Sequence, residues 1–257
     1  MHCMRTPPAL DSHTHLDVSL SARVLAACGP ALAMTLSLDE AETALRHTGD
    51  RAIVWGVGCH PGALDAQKAF TVERFRKLVE RAAIIGEIGL DFVSAVPRSR
   101  QLETFRAELA VARELNRPAS VHSQNAVAAV LDEVERAGTA IIILHWWTGN
   151  DDETRRAVEL GCWFSLPAVL AAERDVSGLI PLERLLVETD SGYGEPPAAI
   201  PSKIEEAERL LAAQYGLEPA AFRRSVWESF RELAGRTGLL DRLPVRIATL
   251  LRGLCGG

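Results

Sequence analysis

The sequence is poor in the features that would take it away from the ordinary globular enzymes. No apolar run approaches the roughly 18 residues that a membrane-spanning helix requires. The opening stretch, MHCMRTPPAL, has no apolar core of the kind a secretory leader carries, and the cytoplasm is the expected compartment. LAACG at Leu25–Gly29 imitates a lipoprotein cleavage site only superficially, because His13, His15, Asp17 and Arg23 interrupt what precedes it. The five cysteines are odd in number and scattered, with no CxxC unit, which argues against a disulfide framework and against a zinc ribbon. Positive charge is in the minority: 28 Lys and Arg stand against 34 Asp and Glu, a net charge of −6. Broad, passive adhesion to nucleic acid is therefore disfavoured. A phosphate-bearing substrate is not, since surface fields are screened over about 8 Å in physiological salt. Two divalent ions in a pocket would add about +4 locally and outweigh distant acids.

What is present is apolar material in an ordered alternation. Hydrophobic residues make up 47% of 257, enough for a large core, and no linker or repeat divides the chain. Strand-like runs occur at Ala9–Leu16, Ala31–Leu38, Ile53–Cys59, Ala82–Leu90, Pro118–His122, Ala140–Trp146, Cys162–Leu166 and Leu185–Glu188. Helical periodicity separates most of them. Asp39 is a candidate N-cap for one helix, and Thr71 for another over Thr71–Arg81. Gln101–Leu115 repeats apolar residues at Leu102, Phe105, Leu109 and Ala112, and Asn125–Ala137 does so before a closing Gly138. Eight near-continuous apolar strands alternating with helices predict an α/β fold, a (β/α)8 TIM barrel. An open doubly wound sheet is the alternative, but no GxGxxG turn follows the first strand. Ile200–Tyr215, Pro219–Gly235 and Pro244–Leu254 read as additional C-terminal helices that wrap the barrel, so residues 1–257 are expected to form a single domain.

In such a barrel, chemistry sits where strands end and loops begin. The first run ends in DSHTHLD, with His13 and His15 between Asp11 and Asp17. Residues i and i+2 of a strand share a side, so both imidazoles can reach one metal ion. The third run ends in GCHP with His60, the fourth in GEIGLDF with Glu87 and Asp91, the fifth in His122, the sixth in His145, and the eighth in ETD with Asp190. Singly, each is an ordinary loop residue. Jointly they are not: five of the seven histidines lie at strand ends. Four neutral imidazoles with two carboxylates suit two divalent cations.

The order HxH, Glu, His, His, Asp on strands one, four, five, six and eight resembles the amidohydrolase-like barrels, and more narrowly the TatD family of metal-dependent hydrolases and deoxyribonucleases. DSHTHLD, GCHPG, IGEIGLDF, the Gln101…Phe105 helix, RPASVHS, ILHWWTG and LLVETDSG carry the resemblance from Asp11 to Gly192. It implies one metal held by His13, His15 and Asp190, and a second held by His122 and His145 with Glu87 shared. It also implies that His60 contacts a substrate phosphate, and that Asp91 and Glu188 orient ligand histidines, with Asp17 either doing the same or serving its loop. The implied activity is metal-dependent hydrolysis of DNA phosphodiesters, exonucleolytic on single-stranded ends. Asp190 would take a proton from water, with two ions of Zn, Mn or Mg.

The chain departs from the family pattern at substrate positions. Gln124 stands where the family usually carries an arginine, and HWWTG replaces the commoner HCFSG. Trp146 and Trp147 alternate in direction on a strand, so that one can face the helices as core while the other faces the pocket mouth and stacks on a base or sugar. Arg98 and Arg100 could supply the missing phosphate affinity, or simply begin a solvated helix. Two alternatives keep the barrel and change its task. One is an amide or ester hydrolase, such as a deacylase of charged tRNA. The other is a subunit of a nucleic-acid repair or defence assembly, with Trp227, Phe230 and Leu233 as its interface rather than as packing on the barrel. The chain is expected to be a monomer or part of a partner-dependent assembly, and an active monomer would count against the assembly reading.

Overall fold

A computed structural model describes residues 6–47, 52–138, 141–192 and 196–253. Eight parallel strands lie in sequence order in one sheet: β1 (Asp11–Thr14), β2 (Ala31–Met34), β3 (Ile53–Val57), β4 (Ile84–Asp91), β5 (Ala119–Gln124), β6 (Ile142–Leu144), β7 (Trp163–Leu166) and β8 (Leu185–Val187). The helices between them are α1 (Ala22–Leu25), α2 (Leu38–Ala44), α3 (Leu64–Ala69), α4 (Val72–Val79), α5 (Arg98–Glu114), α6 (Val127–Ala137), α7 (Asp151–Glu159) and α8 (Ala168–Glu173). Then come α9 (Ile200–Gln214), α10 (Pro219–Thr237) and α11 (Val245–Gly253). This is the nearly closed (β/α)8 barrel that the eight apolar runs predict. Parallel strands covered by helices on one face and by each other on the other bury almost every side chain, which is why the runs read as continuous rather than alternating.

Two irregularities in the ladder aim side chains at the barrel mouth. Between β4 and β5 the register runs from Ile85↔Ala119 to Ile88↔Val121, so Gly86 and Glu87 together face Ser120. Between β1 and β2 it runs from Asp11↔Ala31 to Thr14↔Ala33, which gives β1 an extra residue around Ser12 and His13. Such bulges turn a strand locally and redirect the side chains on it. The barrel closes through Asp190 N–H to His13 O at 3.0 Å and His15 N–H to Ser191 O at 2.9 Å. Closure therefore sets the residues after β8 directly beside the two first-strand histidines. Gly58 admits the close approach of β3 to the bulge: a Cβ there would stand 2.2 Å from Glu87 O. Gly89, at φ +133°, does the same between β4 and His122.

The helix ends follow local chemistry with one correction. Ser37, not Asp39, caps α2, because its hydroxyl accepts the Glu40 N–H at 3.2 Å and the chain is already helical at Leu38. Thr71 caps α4 as expected, and Gly138 closes α6 at φ +58°. Asn150 and Glu153 form a reciprocal capping box at the start of α7. Trp227, Phe230 and Leu233 are buried, with Trp227 Nε1–H donating to Pro8 O at 2.8 Å. They are packing against the body of the protein, not an open interface. Cys28, Cys59 and Cys162 are buried free thiols, and Cys3, Cys255 and His2 lie outside the described residues. No described helix is long and apolar enough to cross a membrane.

Candidate metal centre

Glu87 is the hub of the barrel mouth. It is 2% exposed and surrounded by imidazoles. Its Oε1 lies 2.8 Å from His122 Nδ1, 2.9 Å from His145 Nε2 and 3.5 Å from His60 Nε2, while Oε2 lies 3.1 Å from His15 Nε2 and 3.8 Å from His13 Nε2. Asp190 Oδ1 completes the group, 3.5 Å from His15 Nε2 and 3.7 Å from His13 Nε2. The structure thus brings together His13, His15, His60, Glu87, His122, His145 and Asp190 from six segments of chain.

Outer partners decide which nitrogen of each ring faces inward. His15 Nδ1 lies 3.0 Å from the Met34 carbonyl, which can only accept, so Nδ1 carries a proton and Nε2 points into the cluster. His13 Nδ1 meets the Ser120 hydroxyl at 2.7 Å, and Ser120 is the residue opposite the Glu87 bulge. His60 is the opposite case. Its Nδ1 accepts the Gly62 N–H at 2.9 Å, which leaves the proton on Nε2, the nitrogen that faces Glu87. Burial holds the His60 pKa below its usual value, so the ring is neutral and offers one N–H at the mouth. In that tautomer it has no inward lone pair for a cation.

Glu87 and Asp190 face imidazoles rather than a Lys or Arg, and the titration of the rings reflects it. Burial alone would raise the Glu87 pKa, but His60, His145, His122 and His13 together hold it well below the usual carboxylate range. Burial would likewise lower His15, yet Asp190 and Glu87 outweigh it and raise that ring to about 10. Burial and the neighbouring His145 push His13 down to about 4, while Glu87 and Glu188 overcome burial at His145 and raise it. His13 Nε2, Glu87 Oε2, His122 Nε2 and His145 Nδ1 are buried with no hydrogen-bond partner among the described residues. Two of these, His13 Nε2 and Glu87 Oε2, stand 3.8 Å apart, and buried polar atoms left so are costly unless something binds between them.

A divalent cation fits among these donors. Ligand bonds of about 2.0–2.1 Å in a tetrahedron put neighbouring donor atoms about 3.3 Å apart, close to the spacing among His13, His15, Glu87 and Asp190. Three overlapping groups have donor atoms within 4.8 Å of one another: His13, His15 and Glu87; His13, His145 and Asp190; and His60, Glu87 and His122. His145 is shared with the first-strand side, its ring stacked on His13 at 3.7 Å, so proximity alone does not divide the donors into the two sets that the resemblance implies.

The remaining candidates separate clearly. A cavity of about 130 Å³ over the cluster is lined by His122, Ser123, Gln124, His145, Trp146, Thr148 and Asp190. Gln124 and Trp146 are therefore at the mouth. Trp147 is not: it is 3% exposed, hydrogen-bonded to Thr154 Oγ1 and set edge-on to Phe164, which makes it core. Arg98 lies over the Phe92 ring and is outside that cavity, and Arg100 is spent on the Gln67 and Phe70 carbonyls. Glu188 stands 3.8 Å from His145 Nδ1 and accepts the Trp146 N–H at 2.7 Å. Asp91 instead accepts from Val93 and Ser94 N–H in its own turn, and Asp17 from Ser19 N–H in its loop. Sequence reasoning missed Ser120 and Glu108, and it named Asp11 only as an acid flanking the first-strand histidines. Asp11 is buried and accepts Thr189 N–H and Oγ1–H, tying β1 to the segment that carries Asp190. Ser120 lies two residues before His122 on β5, a same-side spacing that was open to reading. Glu108 sits on a helix and carries no such signal.

The same segments match known proteins. A metal-dependent hydrolase of Escherichia coli K12, YcfH, whose function is uncharacterized, is 34% identical over 155 residues, and the chain spans only 57% of its length. The 3'-5' ssDNA/RNA exonuclease TatD of Pantoea vagans is 31% identical over 204 residues, covering 74% of this chain and 77% of that protein. The crystal structure of YJJV, a TatD homolog from Escherichia coli, superposes with a TM-score of 0.74 at 20% identity over 88% of this chain and 97% of that one, a likeness of fold. Residues 10–235 match the family of TatD-related DNases. That stretch contains every strand of the barrel and every residue of the cluster, and the chain belongs to the TatD family of metal-dependent hydrolases.

Proposed function

We propose that the chain is a phosphodiesterase acting on the ends of single-stranded DNA, with two divalent cations held by His13, His15, Glu87, His122, His145 and Asp190. The observation that carries this reading is the position of Asp190. It belongs to the donor cluster and also lines the cavity above it, where a side-chain exposure of 27% leaves it open to water. The nitrogen-rich donor set suits Zn²⁺ or Mn²⁺ better than Mg²⁺. A relative named as a single-strand exonuclease supports the substrate class.

When bound, the cations would supply Lewis acidity to the phosphoryl oxygens and acidify water at the site. The side chains do the rest. Asp190 accepts the proton of the attacking water, a role for which its depressed pKa, held down by His15 and His13 against burial, keeps it ionised. His60 donates its Nε2–H to a phosphoryl oxygen as charge grows there. Ser120 and the Met34 carbonyl hold the two first-strand rings in place.

Asp190→Asn tests this reading. On 5′- and 3′-labelled single strands, kcat should fall by about 10²–10⁴, with folding unchanged by circular dichroism. Turnover at the parent rate would overturn the role of Asp190. Failure of the metal-loaded parent to cleave any strand, with turnover of aminoacyl-tRNA or a small ester instead, would replace the phosphodiester by an acyl bond.

A further inference from the structure

Beside the cavity over the cluster lies a second and larger one, of about 350 Å³, and Trp146 is a wall of both. Its size falls within the range of small-molecule sites. Trp146 sits at φ +43°, a left-handed backbone that Glu188 secures by accepting its N–H. The carboxylate that stands beside His145 thus also holds the aromatic wall. Apolar walls come from Pro167, Ala168, Val169 and Ala172 at the end of β7 and on α8, and from Leu210 on α9. Polar groups stand among them: Lys203 and Glu206, three residues apart on α9, and Glu188 and Thr189 at the end of β8. Lys203 Nζ reaches to 3.3 Å from Ser191 Oγ, one residue beyond Asp190.

We infer that this second cavity receives the heterocyclic base of the nucleotide adjoining the phosphate at the metal centre, stacked against Trp146. The inference rests on the phosphodiester reading of the site. An indole facing an apolar wall accepts any flat ring, because every base presents a π-face. Lys203, beside the Asp190 segment, is placed to meet a phosphate of the same strand. Glu206 can accept from a base N–H or a sugar hydroxyl. An aliphatic acyl chain would fill the apolar part but offer no donor to the Glu206 carboxylate, and covering a polar group without a partner is unfavourable. The recognition is of a base as such, not of a sequence: Glu188 is turned to the Trp146 N–H, and the other polar lining residues, Thr189, Lys203 and Glu206, form no planar, bidentate fork of the kind that reads a base edge.

The test compares single-stranded oligodeoxynucleotides that are identical except at the terminal nucleotide, which carries its base or is abasic, prepared at each end in turn. The parent protein should favour the intact terminus by about tenfold in kcat/KM, the magnitude of one base–aromatic stack. Ala172→Trp, which fills the cavity from an exposed position on α8, should bring the preference near one, as should Trp146→Ala, while Trp146→Phe keeps most of it. Binding gives a second readout that needs no turnover. In chelator, a deoxynucleoside monophosphate should quench tryptophan fluorescence and bind about tenfold more tightly than deoxyribose 5-phosphate, and Trp146→Ala should remove both effects. Equal cleavage of intact and abasic ends by the parent, or a preference that survives both Ala172→Trp and Trp146→Ala, would overturn the inference and leave the phosphodiester reading standing. A preference for long acyl esters that Ala172→Trp abolishes would overturn it by giving the cavity another occupant. Absence of cleavage on every strand would overturn the phosphodiester reading itself.

Discussion

Glu87 and Glu208 are equally buried, at 2% and 1% exposure, and they live in opposite electrostatic worlds. Glu208, on α9, is met by Arg223 of α10, whose guanidinium donates from Nε at 2.8 Å and from a terminal nitrogen at 2.5 Å. Its counter-charge is permanent and covalently part of the fold. Glu87, at the mouth of the barrel, has only imidazoles around it, and each must take up a proton or share a cation to balance the carboxylate. The outer acid has its own fixed cation, although its Oε1 is buried without a hydrogen-bond partner and burial raises its pKa; among the described residues of the mouth no Lys or Arg pairs with Glu87. That contrast separates a structural acid from a functional one more sharply than burial does.

The contrast breaks most violently at the hub. Glu87→Gln should lower kcat on the order of 10³-fold and strip most of the bound metal, checked by elemental analysis of the purified protein beside a strand-cleavage assay. A variant that keeps its metal and its rate would show that the imidazoles suffice. Next in size is removal of the cation from the parent protein. Ligand present at about 100 times its Kd stabilises the folded state by about 2.7 kcal/mol, so chelator should lower the Tm by several degrees. The Tm of Glu87→Gln should be nearly indifferent to chelator. Arg223→Met reverses the test on the other acid. It strands Glu208 without its partner and should reduce stability by about 3 kcal/mol, the low end for a buried pair, in urea unfolding, with kcat unchanged. A loss of activity at unchanged stability would show that the outer helices serve the site.

The smallest effect concerns a third buried acid, Glu108 on α5. Burial raises its pKa well above 4.5, although it accepts the Cys59 N–H at 3.1 Å, next to His60. A folded-state pKa above the unfolded one means stability that is fully present below about pH 4.5 and lost as pH rises toward the folded value. Glu108→Gln cannot ionise, so its stability relative to the parent should grow between pH 4.5 and 7.5. Parallel urea curves at the two pH values would show that Glu108 titrates alike in both states.

The barrel was legible because each β-strand carries its own signature, a short apolar run, and because the ligand-type residues stand directly after those runs. Edges were less so. The α2 cap moved from Asp39 to Ser37, since both residues can accept a backbone N–H and only the chain's actual entry into the helix selects one. At Trp146 and Trp147, alternation foretold that the two rings part company but not which went where. The left-handed turn held by Glu188, a residue 42 positions away, decides it. Arg98 and Arg100 carried the right charge for a phosphate, yet Phe92 and the Gln67 and Phe70 carbonyls take them instead. Glu108 gave no sign at all, because its partner lies 49 residues away in sequence.

By itself the sequence determined the kind of fold and the kind of chemistry: periodicity and residue type are local properties, and HxH, GEIG, SVHS, LHW and ETD state them in place. Only the tertiary structure decided what those residues do for one another. Barrel closure sets Asp190 beside His13 and His15, the two bulges turn His13 and Glu87 inward, and the Gly62 N–H fixes the His60 proton. These are distances and directions between distant segments, and a hydrogen bond or an ion pair exists only where the fold brings both ends within reach.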